Sequence, residues 1–158
     1  MRFFIFGNVG AGDADGSAMT VRIPKVLLAE DDLELRTIIA RKLRNRGLDV
    51  IETASGLELA EVLVEHGAAL GIVDRDPIAI NLVITDVRMP GCTGLSIVSM
   101  LREHAWWNPV FVMSGFGDAA LHAEAARLGV TAVFDKPFDL DSLANAACAA
   151  LMWEPRPS

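Results

Sequence analysis

Five short apolar segments limit the fold of this chain more than any other feature of its sequence. Four of them, "KVLLA", "LVIT", "PVFVM" and "TAVF", show no alternation of apolar and polar residues. This pattern is typical of strands in a parallel sheet, because helices cover both faces of such a sheet. The remaining segment, "LDVIE", alternates and is typical of an edge strand. The sequence therefore predicts parallel strands at residues 25–29, 48–52, 82–85, 109–113 and 131–134.

Segments with helical periodicity separate the predicted strands. The segment "DLELRTIIARKLRNRG" has acids near its start and basic residues near its end, and Gly47 closes it. In "SGLELAEVLVEHG", Ser55 precedes Glu58 by three residues, which is the pattern of a capping box. Together with three later helical segments, this alternation predicts an α/β sandwich with helices on both faces of the sheet. The apolar face predicted for the first helix carries Leu35, Ile38, Ile39 and Leu43.

Two segments fall outside this alternation. Residues 1–22 are rich in Gly, Ala and Asp, and predict a flexible leader. Residues 68–81 are too long for an ordinary connection between a helix and a strand, and either an irregular excursion or a short extra strand fits them. One domain over residues 23–153, followed by a short tail at 154–158, accounts for the rest of the chain.

Composition narrows the classes of function. The 158 residues suffice for one domain with a core of its own. The formal net charge of −7 argues against direct binding of nucleic acid, which needs a basic surface. No apolar stretch approaches the length of a membrane span, and "MRFFIF" is too short for a signal sequence. The sequence thus predicts a cytoplasmic protein that binds neither nucleic acid nor a membrane.

Polar side chains follow four of the predicted strands. Glu30 and Asp31 follow the first strand, Asp86 the third, Ser114 the fourth and Lys136 the fifth. We expect them to converge, because the carboxyl ends of parallel strands form the ligand-binding edge of an open sheet. Clustered carboxylates repel one another unless a cation lies among them, and Mg²⁺ prefers such oxygen ligands. An aspartate there can attack phosphorus, with the hydroxyl and the ammonium as donors to phosphoryl oxygens.

Four motifs at these strand ends together resemble the receiver domains of two-component response regulators. They are "VLLAEDD", "LVITDVRMPGCTG", "VFVMSGFGD" and "FDKPF", and the resemblance spans about residues 25–152. It implies a flavodoxin-like (βα)5 fold with strand order 2-1-3-4-5. It also implies a signalling function, in which an aspartate takes a phosphoryl group from a phosphohistidine in a Mg²⁺-dependent reaction.

The resemblance implies a role for each strand-end residue. Asp86 would accept the phosphoryl group. Asp31 would ligate Mg²⁺ directly, Glu30 mostly through water, and Arg88 through its backbone carbonyl. Ser114 would bind the phosphoryl group through its hydroxyl.

Two residues near the last motif bear on switching. Lys136 matches the lysine of the family, and its bond to Pro137 is expected to be cis, which would turn the ammonium inward. Three residues before the lysine, the family usually carries an aromatic residue, whereas this chain has Val133. The neighbouring Phe134 is expected to point to the opposite face of its strand. A change on phosphorylation is therefore expected at residues 114–118 rather than at Val133.

The partners implied are a sensor histidine kinase or a phosphotransfer protein, an unidentified downstream protein, and a second copy of the chain in a homodimer. The protein would act through contacts, or be a fragment of a longer chain. It would be no enzyme beyond phosphorylating itself from donors and dephosphorylating itself. One alternative is an aspartyl phosphatase of the haloacid-dehalogenase type, which needs a second Asp where this chain has Arg88. Another is a degenerate receiver that only binds, against which the complete set of acid, hydroxyl and lysine argues.

Several other polar and aromatic residues receive structural interpretations. Asp32 is predicted to start a helix rather than to bind metal. Trp106 and Trp107 are predicted to pack in the core or against a loop. The remaining candidates lie far apart on predicted helices, without a partner pattern in the sequence, and are predicted to be ordinary surface histidines: His66, His104 and His122.

Overall fold

The computed structural model describes residues 22–66, 79–115 and 119–155. The predicted leader at 1–22 lies outside these ranges apart from its last residue, and most of the 68–81 segment and of the 154–158 tail also lies outside them. Of the loop expected to change on phosphorylation, residues 116–118 are likewise not described. Within the described ranges, no helix is long and apolar enough to cross a membrane.

Five parallel strands form a single sheet with the order β2-β1-β3-β4-β5, which confirms the predicted fold and strand order. Every residue of β3 and β4 is buried, as expected for strands with helices on both faces. The strand β4 begins one residue later than predicted, because Pro109 has no N–H to donate to the ladder and only its carbonyl accepts from Val83. The strands are β1 (Lys25–Ala29), β2 (Asp49–Thr53), β3 (Leu82–Asp86), β4 (Val110–Ser114) and β5 (Ala132–Asp135).

Helices cover both faces of the sheet, and alternate strand residues point to the two layers. Leu27 and Val83 belong to one buried cluster, which the second and third helices complete, whereas Leu28 and Ile84 pack with the first and last helices. Ile38 departs from the prediction, because 39% of it is exposed. The helices are α1 (Leu33–Arg44), α2 (Gly56–Glu65), α3 (Gly94–Glu103), α4 (Ala119–Arg127) and α5 (Leu140–Ala150).

Side-chain caps determine where the helices begin. The Asp32 carboxylate accepts a hydrogen bond of 3.0 Å from the N–H of Leu35, so Asp32 starts α1 as predicted. Ser55 caps α2 in the same way, and the Glu58 carboxylate accepts from the N–H of Ala54. Because α1 begins immediately after Asp32, the two preceding acids stay at the end of the strand rather than on the helix.

The start of α3 packs so closely on β3 that it requires glycine. A Cβ on Gly94 would lie 2.4 Å from the carbonyl oxygen of Asp86 and 3.1 Å from the Thr85 methyl group. We expect Gly94→Ala to lower the free energy of unfolding by about 1–3 kcal/mol, because the backbone must move apart. Urea denaturation would measure this loss. Gly115→Ala is the control, because no atom of the described residues outside its own chain neighbours lies within 4 Å of its added Cβ. Equal losses in both variants would contradict the packing argument.

The packing prediction was wrong for one of the two tryptophans. Trp106 is buried as expected, but Trp107 is 69% exposed, with the guanidinium of Arg102 stacked 5.0 Å from its ring centroid. His122 is a surface histidine as predicted, with 42% of its side chain exposed, and its Nε2 lies 3.0 Å from an Asp135 carboxylate oxygen at the end of β5. Neither contact follows a periodic pattern, since each joins residues on different elements or in an irregular loop.

Candidate functional site

The candidate site lies at the carboxyl ends of the central strands. Ala29 pairs with Thr85 across β1 and β3, so the residues that follow, Glu30 and Asp86, reach the same edge of the sheet. Ser114 and Asp135 pair across β4 and β5, which brings the next residue of the chain after β5 to the same edge.

Three carboxylates gather at this edge. One oxygen from each of Glu30, Asp31 and Asp86 lies within 4.8 Å of the others. Glu30 and Asp86 are only 1% and 6% exposed, whereas Asp31 is exposed at the mouth of the cluster. Buried carboxylates are costly unless a cation offsets their charge, and an all-oxygen donor set is the kind that Mg²⁺ prefers. The residues present therefore fit a hard divalent cation, with Asp31 on the side that opens to solvent.

Lys136 supplies a positive charge to the same cluster. Its Nζ donates to Oε2 of Glu30 over 2.7 Å and lies 3.4 Å from Oδ2 of Asp86. The Lys136–Pro137 peptide bond is cis, as the resemblance implied. The ammonium thus bridges the carboxylates that follow β1 and end β3.

Burial and charge shift the pKa values of this pair. Burial raises the pKa of Glu30, although the hydrogen bonds from Lys136 and from the N–H of Asp32 oppose that shift. Burial alone would lower the pKa of Lys136, but its hydrogen bond to Glu30 and the charge of Asp86 outweigh burial and raise it. Lys136 therefore stays charged at neutral pH.

Ser114 and Arg88 occupy neighbouring positions at the edge. Ser114 is buried at the end of β4, and its carbonyl accepts a 2.7 Å hydrogen bond from the N–H of Lys136. Arg88 lies two residues beyond Asp86 with its side chain exposed. Among the described contacts, the hydrogen bonds to the Glu30 carboxylate come from Lys136 and the Asp32 backbone. The structure thus brings four predicted residues into direct proximity and places Ser114 and Arg88 beside them.

The ring of Phe134 packs against two other aromatic rings in the layer of α1 and α5. Its centroid is 5.5 Å from that of Phe111 and 5.8 Å from that of Phe138, in the layer formed with α1 and α5. This placement confirms the prediction that Phe134 and its neighbour Val133 point to opposite faces of the sheet.

Two features beside the site escaped the sequence analysis. The guanidinium of Arg36 donates to the backbone carbonyl of Glu30 over 2.7 Å. The sequence offered one signal for this contact, namely the position of Arg36 six residues after Glu30 on the first turns of a helix. The second feature is an open groove of about 440 Å³ next to Lys136. The other residues that line this groove are Leu35, Ile38, Pro137, Phe138 and Leu140.

A family model described as the response regulator receiver domain matches residues 26–147. The chain belongs to this family. It is 32% identical over 127 residues to the transcriptional regulatory protein FixJ of Azorhizobium caulinodans. The aligned residues cover 80% of this chain and 54% of that protein. It is 26% identical over 122 residues to the sporulation initiation phosphotransferase F of Bacillus subtilis. The aligned residues cover 77% of this chain and 89% of that protein.

Solved structures agree with the fold of this receiver domain. A response regulator receiver protein from Pseudomonas putida superimposes with a TM-score of 0.65 at 28% identity, covering 80% of this chain and 97% of that one. A receiver domain from Clostridium thermocellum gives a TM-score of 0.70 at 23% identity, covering 82% and 95%. The family match supports a signalling phosphoacceptor over a haloacid-dehalogenase-like phosphatase. This receiver domain spans about half of FixJ (54%) and a quarter (25%) of the regulator DctD of Pseudomonas aeruginosa.

Proposed function

We propose that Asp86 accepts a phosphoryl group from the phosphohistidine of a sensor histidine kinase or phosphotransfer protein, in a reaction that requires Mg²⁺. The observation that carries this proposal is a buried aspartate with two further carboxylates within 4.8 Å and an ammonium at 3.4 Å. The phosphorylated domain would then bind a downstream protein differently. We also propose that the domain acts in the cytoplasm and comprises residues 23–153.

The side chains divide the chemistry among them. A carboxylate oxygen of Asp86 forms the new bond to phosphorus, the phosphorus–nitrogen bond of the donor breaks, and its electron pair returns to the imidazole. Lys136 would hydrogen-bond the phosphoryl oxygens, and the hydroxyl of Ser114 would donate to another. Glu30 and Asp31 would hold Mg²⁺ together with Asp86 and the carbonyl of Arg88. The ion, when bound, would offset the charge of the carboxylates and phosphoryl oxygens.

The groove beside Lys136 supports a protein as the donor. Leu35 and Ile38 of α1 line it together with Phe138 and Leu140. Leu33, at the start of α1, is 64% exposed. The donor histidine has to approach Asp86 from this edge of the sheet. Apolar surface of the donor protein around that histidine would then cover these residues.

Intact mass measurement tests the proposed function. We expect wild type incubated with acetyl phosphate and Mg²⁺ to gain one phosphoryl group that base removes, because acyl phosphates hydrolyse in base. Chelation of the metal should prevent the gain. Absence of any gain would contradict the proposal and favour a domain that only binds, and a gain that is independent of divalent metal would contradict the role of Mg²⁺.

Removal of Asp31 is expected to abolish metal binding without unfolding the domain. Asp31 is exposed, and Asp31→Asn also relieves repulsion from Glu30 and Asp86, so the fold should stay intact or become slightly more stable. Mg²⁺ at about a hundred times its Kd should stabilise wild type by about 2.7 kcal/mol, and the variant far less. Thermal unfolding during a Mg²⁺ titration measures this. Glu34→Gln removes a nearby exposed charge as the control, and equal stabilisation of Asp31→Asn and wild type would argue against the assigned ligand.

A further inference from the structure

Arg36 reaches back from α1 to the end of β1. Its side chain is only 14% exposed, although α1 lies on the surface. Its Nη1 donates to the backbone carbonyl of Glu30 over 2.7 Å. That carbonyl belongs to the peptide group between Glu30 and Asp31, which is planar and moves as one unit. A guanidinium bonded to this oxygen therefore restrains the orientation of the peptide, and with it the directions in which the Glu30 and Asp31 side chains leave the backbone.

A second acid holds the guanidinium from the other side. Nε of Arg36 lies 3.6 Å from Oε2 of Glu52, on the edge strand β2. The other oxygen of Glu52 binds Nη1 of Arg44 at 2.8 Å. Arg44 also donates to the carbonyl of Val50. It therefore shares the acid with Arg36, but within the described part of the chain its hydrogen bonds and ion pair go to Glu52 and Val50 rather than to Glu30. The chain thus contains two arginines on one carboxylate, of which one touches the site.

The Glu30 residue is restrained at each of its polar groups. Its N–H donates to the carbonyl of Thr53 over 3.2 Å. Its carboxylate accepts from the N–H of Asp32 at 3.1 Å and from Lys136 at 2.7 Å. The bond from Arg36 restrains the remaining group, the carbonyl. Without it, the peptide between the two acids loses its contact on the α1 side.

We propose that Arg36 is a positioning residue of the site. Through the carbonyl of Glu30 it fixes the peptide between Glu30 and Asp31, and so holds both carboxylates where they can share a divalent cation with Asp86. This role rests on the proposed function, in which that cation is Mg²⁺. Groups that orient metal ligands without touching the metal have large effects on metal affinity when they are removed.

Arg36→Gln tests the proposal, with Arg44→Gln as the matched control. Both changes remove a guanidinium from Glu52 and a hydrogen bond to a backbone carbonyl, so each should lower stability. We expect Arg36→Gln to weaken Mg²⁺ binding about tenfold, and Arg44→Gln to leave it unchanged. Glu52→Gln should also leave it nearly unchanged, because Arg36 keeps its bond to Glu30. Arg36→Lys should restore part of the affinity, since one ammonium can still donate to the carbonyl.

Thermal unfolding during Mg²⁺ titration supplies the affinities, and urea denaturation supplies the stabilities. Equal losses of Mg²⁺ affinity in Arg36→Gln and Arg44→Gln, or no loss in Arg36→Gln, would overturn the proposal. A metal-free measurement separates this outcome from failure of the proposed function. Amide hydrogen exchange at Asp31 and Asp32 should accelerate in Arg36→Gln and not in Arg44→Gln, even if wild type binds no Mg²⁺. Unchanged exchange in Arg36→Gln would overturn the positioning role by itself.

Discussion

Asp86→Asn is expected to abolish phosphorylation by acetyl phosphate. The amide has the shape of the carboxylate but its oxygen is a poor nucleophile, so the step that forms the bond to phosphorus fails. The fold should survive, because the substitution also relieves repulsion from Glu30 and Asp31, which lie within 4.8 Å. Intact mass measurement of wild type and variant, with Mg²⁺ present, would show the difference.

Asp32→Asn is the matched control for this experiment. It removes the same charge from a neighbouring position, and asparagine caps a helix as well as aspartate does. We expect this variant to keep its phosphorylation, because the Asp32 carboxylate accepts from the N–H of Leu35 rather than facing the site. A base-labile phosphoryl group on Asp86→Asn would refute the assignment of the acceptor.

Lys136→Met is expected to destabilise the metal-free domain by about 2 kcal/mol, which is less than for a fully buried pair because 25% of the Lys136 side chain is exposed. The change leaves the carboxylate of Glu30 buried with no cation 2.7 Å away, and a buried charge that loses its partner is costly. Mg²⁺ should then stabilise the variant more than wild type, because the ion replaces the missing positive charge. Phosphorylation should also slow, since the donor to the phosphoryl oxygens is gone.

The pH dependence of this loss follows from the two pKa shifts. Burial raises the pKa of Glu30 above 4.5, so its ionisation costs stability as the pH rises through that pKa, and the cost grows without Lys136. The pKa of Lys136 is raised above 10.5, despite its burial, by Glu30 and Asp86. The stability from its charge is present below pH 10.5 and is lost as the pH rises through the raised pKa. The loss in Lys136→Met should therefore be smallest in acid and in strong base.

Urea denaturation at neutral pH, near pH 4.5 and above pH 10.5 would measure these differences. Lys42→Met is the control, because Lys42 pairs at 2.7 Å with Asp141, whose side chain is 53% exposed. Such surface pairs contribute about 0–1 kcal/mol, so this variant should lose little stability. Equal losses in the two variants, or a loss in Lys136→Met that does not vary with pH, would contradict the electrostatic argument.

The sequence by itself determined the layers of the fold and the principal residues of the site. Buried parallel strands are recognisable because each is a short apolar run, and the polar residue that follows such a run lies at the carboxyl edge of the sheet. This local rule suffices to bring Glu30, Asp86 and Lys136 together, although 106 positions of the chain separate Glu30 from Lys136. It also places Asp32 as a cap, since capping depends on residues three positions apart.

Only the tertiary structure decided the contacts that depend on packing between elements. The bond of Arg36 to the Glu30 carbonyl, the pair of His122 with Asp135, and the exposure of Trp107 beside the buried Trp106 have no periodic signal. Each depends on the distance and angle at which one element meets another, and these follow from how all the buried side chains fit together. A periodic pattern shows which face of an element is apolar. It does not show which polar group of a neighbouring element that element will contact.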